Sequence, residues 1–291
     1  MKSSVAIVTR RADERCERLA ERLAELIDED SEVLVVAEDP RVFEPAPREQ
    51  SAAGSWLVRV PERRGLGYNR NRAVDAALGD VIVFVDDDCW PDDRWFAELL
   101  APLQDDSVDA VMGAVRIPPS TLLGDSISAL GFPGGGSLGF AVMFEVDHEC
   151  FTRHISTLNC ALRRRVFERV GGFDETMTAG GEDGELSHRI AEAGLRVKYQ
   201  PSAIVEHEAR TDLIEFSRWF FRRGRAAYQF SRRAPMGRTV QGRLASYRRI
   251  IEMHARDARL FLILPLLGAS VLLQQAGFVW ELATARDRRA G

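Results

Sequence analysis

Apolar residues fall into two patterns along this chain. Short runs dominated by Val and Ile occupy residues 5–9, 33–36, 56–60, 81–85 and 108–115, without the polar alternation of a half-exposed strand. Such runs predict strands buried on both faces, as in a parallel sheet. Between the first two, Ala12, Cys16, Leu19, Leu23 and Ile27 recur at three- and four-residue spacing, which predicts a helix over residues 11–28 with one buried stripe. Strand, helix and strand in this rhythm make a parallel unit with a right-handed crossover. A polar, Pro-containing stretch at 41–55 predicts a loop, and Gly65-Leu66-Gly67 opens a helix running to about residue 78. Pro91-Asp92-Asp93-Arg94-Trp95 has the marks of a helix start, with Pro in the first turn and acids near the positive end of the dipole. Residues 116–144, rich in Pro, Gly and Ser, predict a long connection or a mobile loop over a site. Further on, residues 155–162 predict a strand, 163–170 a helix stopped by Gly171, and 196–199 and 203–205 two short strands. The expected fold class is α/β: a mostly parallel sheet flanked by helices over residues 1–210, then a helical extension over 211–291.

The fourth apolar run, 81–85, ends directly in Asp86-Asp87-Asp88. In open α/β sheets ligands bind beyond the carboxyl ends of the strands, which is where these acids fall. If the backbone stays extended, Asp86 and Asp88 project to one side, about 6 to 7 Å apart, and Asp87 to the other. Two carboxylates so placed can share a divalent cation, or hold a cation and a sugar hydroxyl between them. The alternative is a strand that ends in a solvated acidic turn. Two further groups invite the same question. Glu182 and Asp183 stand at a predicted helix start, where they either complement the helix dipole or supply a general base. His207 lies between Glu206 and Glu208 at a strand end, as a structural histidine or as the completion of a cation site.

Glycine patterns exclude two function classes. Gly65-Leu66-Gly67 precedes a helix, yet Arg70 stands where a dinucleotide-binding fingerprint has its third glycine. Gly131 to Ser137 is glycine-rich, yet no Gly-Lys-Ser/Thr follows, so it is not a P-loop. A glycine turn ahead of an Arg-bearing helix can still hold phosphate, or be a tight turn with a solvated arginine face.

Composition changes the picture in one respect. The net charge of −5 is unevenly distributed: residues 218–259 carry twelve arginines against Glu252 and Asp257, so an acidic body is followed by a cationic segment. That split predicts an anionic partner for the tail, either membrane lipid or a phosphorylated substrate, and not nucleic acid. Cys16, Cys89, Cys150 and Cys160 show no zinc-finger or CxxC spacing, and the first residues lack the apolar region of a signal peptide. A cytoplasmic location is expected, extending to the cytoplasmic face of the membrane.

Four motifs in order carry a resemblance: Gly-Leu-Gly-x-x-Arg-Asn (Gly65 to Asn71), the strand-terminal Asp-x-Asp (Asp86 to Asp88), Gly-Gly-Phe-Asp-Glu (Gly171 to Glu175) and Glu-Asp before a helix (Glu182, Asp183). Over residues 5–225 the chain resembles the family 2 glycosyltransferases of the GT-A fold. The resemblance implies an inverting, metal-dependent transfer from a nucleotide-sugar donor to a glycan or lipid-linked acceptor. It implies that Thr9, Glu38 and Asp39 face the nucleobase, and that Gly65 and Arg70 hold the nucleotide. Asp86 would contact ribose or metal, with Asp87 beside it, and Asp88 would coordinate Mg²⁺ or Mn²⁺. Asp183 would be the base, supported by Glu182. Two departures stand out. The second strand ends in Ala37-Glu38-Asp39-Pro40 instead of an Asp-Asp-Gly-Ser type sequence, which leaves the nucleobase open. Glu215 stands three residues before Arg218-Trp219, where processive synthases carry Gln or Arg, so transfer of one sugar is expected. A sugar nucleotidyltransferase is the competing enzyme reading, although Thr9-Arg10-Arg11-Ala12 lacks its glycine-rich loop. A non-catalytic nucleotide-sugar-binding, membrane-associated protein is the other alternative.

The tail has a pattern of its own. Residues 260–273 are almost wholly apolar, Gln274-Gln275 interrupts, and the apolar character resumes to Trp280. The uninterrupted part falls short of the ~20 residues a membrane span needs. The segment 260–280 therefore predicts peripheral membrane contact, through residues 211–282, or a buried helix in a homodimer.

Overall fold

The computed structural model describes residues 1–51, 54–233 and 236–290, and the side chains of these except 236–243 and 286–290, so Arg238 and Arg243 of the basic tail lie outside the described side chains. The strands are β1 (Ser3–Thr9), β2 (Glu32–Glu38), β3 (Glu49–Gln50), β4 (Trp56–Val60), β5 (Val81–Asp86), β6 (Cys89–Pro91), β7 (Ala110–Arg116), β8 (Phe151–Thr152), β9 (Asn159–Arg163) and β10 (Val197–His207). The helices are α1 (Glu14–Leu26), α2 (Leu66–Ala76), α3 (Trp95–Leu100), α4 (Leu122–Ser128), α5 (Phe140–Met143), α6 (Arg164–Val170), α7 (Glu182–Glu192), α8 (Leu213–Ser231), α9 (Met236–Met253) and α10 (Leu260–Ala290).

The strands join one sheet in the order β3-β4-β2-β1-β5-β9-β7-β10-β6, with β8 added beside β10. β4, β2, β1 and β5 are mutually parallel, and Val5 pairs with both Val33 and Val83. Every residue of β1 is buried, which is why its run shows no alternation. Beyond β5 the direction reverses: β9 runs antiparallel to β5 and to β7, and β6 antiparallel to β10. The fold class is the expected α/β, with the four parallel strands forming one half of the sheet and antiparallel strands the other.

Two local expectations are corrected by strand pairing. Pro91 does not open a helix; it ends β6, opposite Val205, and α3 starts at Trp95. The two short strands expected at 196–199 and 203–205 are one strand, β10, which passes through Pro201 where the chain is solvent-exposed. A proline is tolerated in a strand where its missing N–H faces solvent. In both places long-range ladders override the local signal.

The chain divides into two compact units. The first comprises Met1–Val115, Glu145–Thr178 and Glu182–His207; the second comprises Arg116–Phe144, Ala179–Gly181 and Glu208–Gly291. Residues 116–144, expected as a connection, contain α4 and α5, and supply Ile127, Leu130 and Met143 to a core with Phe216, Phe220 and Ile263. In the same unit α8 and α10 cross closely: a Cβ added at Gly224 would lie 2.0 Å from Gln274 O, and one at Gly277 would lie 2.0 Å from Phe221 O. Only glycine lets the two backbones approach this far.

Asn159 ties the antiparallel half together. Wholly buried, it accepts from Trp95 Nε1 at 2.8 Å and donates through Nδ2 to Ala114 O at 2.7 Å and Ala203 O at 2.9 Å. Asn159→Leu keeps the volume but removes three bonds and strands buried polar partners. The expected loss is about 3 kcal/mol of unfolding free energy, read from urea denaturation.

Candidate active site

The parallel strands β1, β2 and β5 all end on one edge of the sheet, which brings Thr9, Glu38 and Asp86 to the same side. β5 stops at Asp86, the chain turns through Asp87 and Asp88, and β6 begins at Cys89. The extended geometry that would point Asp87 away is therefore lost. Asp87 Oδ2 accepts from the Thr9 hydroxyl at 2.5 Å, Asp87 Oδ1 lies 3.2 Å from Arg15 Nη2, and Arg15 Nε donates to the Asp87 carbonyl at 2.7 Å. Asp87 thus pins the end of β1 and the first turn of α1 to the acidic turn.

Asp88 turns the other way, its Oδ2 lying 3.1 Å from His207 Nε2. The pairing of β6 with β10 places Cys89 opposite His207, and ligating atoms of Asp88, Cys89 and His207 lie within 4.8 Å of one another. Burial and the neighbouring carboxylates push the Cys89 thiol up, so it is protonated as it stands.

Arg70 joins the two acidic motifs. Gly65, at φ 96°, gives the backbone a conformation that side chains rarely adopt and starts α2. One turn later Arg70 is only 4% exposed, its guanidinium paired with Glu182 Oε1 and 3.4 Å from Asp86 Oδ1. The expectation of an arginine reaching the nucleotide meets a guanidinium already committed to two carboxylates. Glu182 is 2% exposed, and its Oε2 has no hydrogen-bond partner among the described residues. Burial pushes the Glu182 carboxyl up against the opposing pull of Arg70, and Asp183 adds to the rise. Burial likewise raises Asp86 to about 6, with Arg70 resisting and Asp88 adding to it.

Adjacent helical residues point about 100° apart, so Glu182 turns inward while Asp183 stays half-exposed. Asp183 Oδ1 accepts from the Gly184 N–H at 2.7 Å. Of the two acids at the end of β2, Glu38 accepts from the buried Asn69 at 3.0 Å. Asp39 is engaged by Arg41, at 2.9 and 2.7 Å, and by Arg59 at 3.3 Å. Hydrogen bonds from Arg41 hold the Asp39 carboxyl well below the usual carboxylate range.

Three residues with no role assigned from the sequence complete the framework: Arg15, Asn69 and Asn71, the last of these marked in the sequence only as the end of the glycine-arginine motif. Asn71 Oδ1 accepts from Phe173 N at 2.7 Å, and its Nδ2 donates to Phe173 O at 2.9 Å and Glu175 Oε1 at 2.8 Å. The glycine-arginine motif is thereby bonded to the Gly-Gly-Phe-Asp-Glu motif 102 residues away. A Cβ on Gly172 would meet Asn71 Oδ1 at 2.5 Å, which explains the second glycine there. The position of Asn71 beside Arg70 was a usable signal for this role; Arg15, on the polar face of α1, offered none.

Comparison with known proteins identifies the family and the fold. The family model described as glycosyl transferase family 2 matches residues 4–171, more than half of the chain. This chain belongs to glycosyl transferase family 2. A second model, the N-terminal domain of galactosyltransferase, matches residues 141–210. The chain is 33% identical over 162 residues to the pre-mycofactocin glycosyltransferase of Mycobacterium tuberculosis, covering 55% of this chain and 33% of that protein. It is 28% identical over 175 residues to the glucosyl-dolichyl phosphate glucuronosyltransferase of Haloferax volcanii, covering 55% of this chain and 53% of the relative. The matched regions thus span a third to about half of these curated relatives. Among solved structures, a mannosyltransferase from Pyrobaculum calidifontis in complex with GDP-Man and Mn²⁺ superposes with TM-score 0.53 at 19% identity, over 97% of this chain and 84% of that one. GalNAc-T7 with UDP, GalNAc and Mn²⁺ superposes with TM-score 0.54 at 15% identity, over 88% and 57%. These likenesses establish the GT-A fold for this family 2 member.

Two outcomes follow for these charges. Arg70→Met leaves Glu182 buried without its counter-charge and costs about 3–5 kcal/mol, whereas Arg70→Met combined with Glu182→Leu regains most of it, both read from urea unfolding. The raised Asp86 sets a pH window. Between its ordinary value of 3.8 and about 6, the unfolded chain releases the proton that the fold retains, so this group makes stability fall as pH rises. Asp86→Asn is therefore expected to gain stability relative to the parent from pH 4.5 to about 6, then level off, in urea titrations with chelator present. A difference independent of pH would contradict the assignment.

Proposed function

We propose that this protein moves one sugar from a nucleotide-sugar to a hydroxyl of a glycan or lipid-linked acceptor, with inversion at the anomeric carbon. The observation that carries this reading is the buried Arg70, which holds Glu182 and Asp86 to one centre, beside the Asp88–His207 pair. The nucleoside would lie along the ends of β1 and β2, near Thr9, Glu38 and Asp39. Asp39 is neutralised by Arg41 and Arg59, so Glu38, held by Asn69, is the acid better placed to accept from a base N–H.

The Asp88 carboxylate and His207 imidazole are a donor pair that fits a divalent cation, Mg²⁺ or Mn²⁺, the imidazole favouring the latter. Such an ion, when bound, offsets the negative charge of the donor diphosphate. Asp86 would orient the donor from the other side of the turn. Asp183 is the base: its carboxylate takes the proton of the acceptor hydroxyl as that oxygen bonds to the anomeric carbon. The bond from that carbon to the diphosphate oxygen breaks, and its electron pair departs with the nucleoside diphosphate. Glu182 assists by position, because its charge is spent on Arg70. Pinned by Arg70 and placed in the first turn of α7, it fixes the direction in which Asp183 points.

The test separates binding from chemistry. A thermal-shift screen of UDP-, GDP- and dTDP-sugars with Mn²⁺ identifies a donor that stabilises the fold. With that donor, Asp183→Asn should bind normally and lose about 10²–10⁴-fold in transfer. Retained turnover would sink the base assignment. Chelation should abolish transfer and Mn²⁺ or Mg²⁺ restore it, while Asp88→Asn should need more metal for the same rate.

A further inference from the structure

Helix α10 is apolar nearly all the way round. Its buried face carries Ile263, Leu266 and Leu267 into the core and also three polar residues: Gln274 is 6% exposed and Glu281 2%, with Ser270 also buried. Glu281 pairs with Arg225 at 2.7 Å and accepts from Gln229 Nε2 at 3.0 Å, both on α8. Gln274 donates to Ser270 O at 3.1 Å. The outward face is apolar as well. Phe261 is 90% exposed, Leu272 71%, Val279 60% and Trp280 57%, with Leu264 and Ala276 on the same stripe. From Phe261 to Ala283 the exposed positions include no charged residue, and Gln275 is their one polar side chain among the described residues. At 1.5 Å per residue this face is about 33 Å long. Monomeric soluble proteins rarely leave such a continuous apolar surface in water.

We infer that this face of α10 lies in the surface of an anionic lipid bilayer, parallel to the membrane plane. The inference rests on the second compact unit alone and does not depend on the sugar-transfer reading. Charge identifies the occupant. Residues 211–233 and 244–259 carry ten arginines against four acidic residues, and exposed Leu244, Ile251 and Met253 lie among the exposed Arg248 and Arg256. Arginines interleaved with apolar side chains suit anionic headgroups above acyl chains. A second copy fits less well, because a two-fold contact on this face would bring two basic segments together.

Length and composition alone would allow Leu260–Ala285 to cross a membrane, with a mean hydropathy of 1.8 in its most apolar window. Its packing argues for lying in the plane. α8 follows α10 from the Gly224–Gln274 approach to the Arg225–Glu281 pair, and carries Arg218 and Arg222 exposed on its surface. A spanning α10 would draw those charges into hydrocarbon.

The experiment is sedimentation of the full chain with vesicles of phosphatidylcholine mixed with phosphatidylglycerol, against phosphatidylcholine alone. The parent should pellet with the anionic vesicles, less so as salt rises. Leu272→Glu combined with Val279→Glu should weaken binding about tenfold or more, with an unchanged circular dichroism spectrum. Leu272→Ser, which removes apolar area without adding charge, gives a smaller loss and serves if the double variant does not fold. Brominated acyl chains should quench a tryptophan signal that Trp280→Phe lacks. Binding that survives the double variant overturns the inference. So does a monomer that ignores both vesicles, or a concentration-dependent dimer that Leu272→Ser dissociates.

Discussion

A guanidinium out of water needs counter-charge, and in this protein that requirement shapes the site. Arg70 is buried on α2, and the carboxylate that answers it, Glu182, comes from a helix start 112 residues further along the chain. The pair makes the fold bring α7 against α2 and the end of β5 together. It also divides the labour between neighbouring acids. Glu182 is drawn inward as a counter-ion, and the helical turn leaves Asp183 facing outward. Such a pair is weak evidence for stability in itself, since burying two charges costs about as much as their attraction returns. Its value is geometric, because few arrangements of these segments satisfy it.

The same logic extends around the centre through hydrogen bonds. Asn71 fastens the segment after α6 to α2, and Asp87 fastens β1 and α1 to the acidic turn. Asp87 is one step along the chain from Asp86 and from Asp88, which have proposed chemical roles. Adjacent positions point in different directions, so a motif can carry one side chain for the ligand and the next for the framework.

The second unit satisfies its polar groups differently. The buried glutamate of α10 is met by Arg225 and Gln229 of α8, and Gly224 and Gly277 let the backbones close in around these contacts. The outcome is a helix that is apolar on both sides: Ile263, Leu266 and Leu267 pack in the core, Ser270, Gln274 and Glu281 are kept dry beside them, and a second apolar face is left open, whereas at α1 the one apolar stripe of Cys16, Leu19 and Leu23 is buried.

Much of this protein was legible in its sequence. Unbroken Val and Ile runs predicted the parallel half of the sheet, because a strand covered on both faces has no use for alternation. The order of the glycine-arginine, Asp-x-Asp and Glu-Asp motifs predicted the family, and the abrupt end of an apolar run in three aspartates located the edge where they meet. What the sequence could not determine were features that depend on residues far apart. Pro91 became a strand end because β10 lay ready to pair with it, and two short strands became one for the same reason. The turn at Asp87 and Asp88 undid the extended geometry and gave Asp87 partners on β1 and α1. The commitment of Arg70 to Glu182 and Asp86, and the open apolar face of α10, were equally hidden. A run of letters states which groups are charged or apolar, but burial and pairing are decided only when distant segments compete for the same space and the same partners.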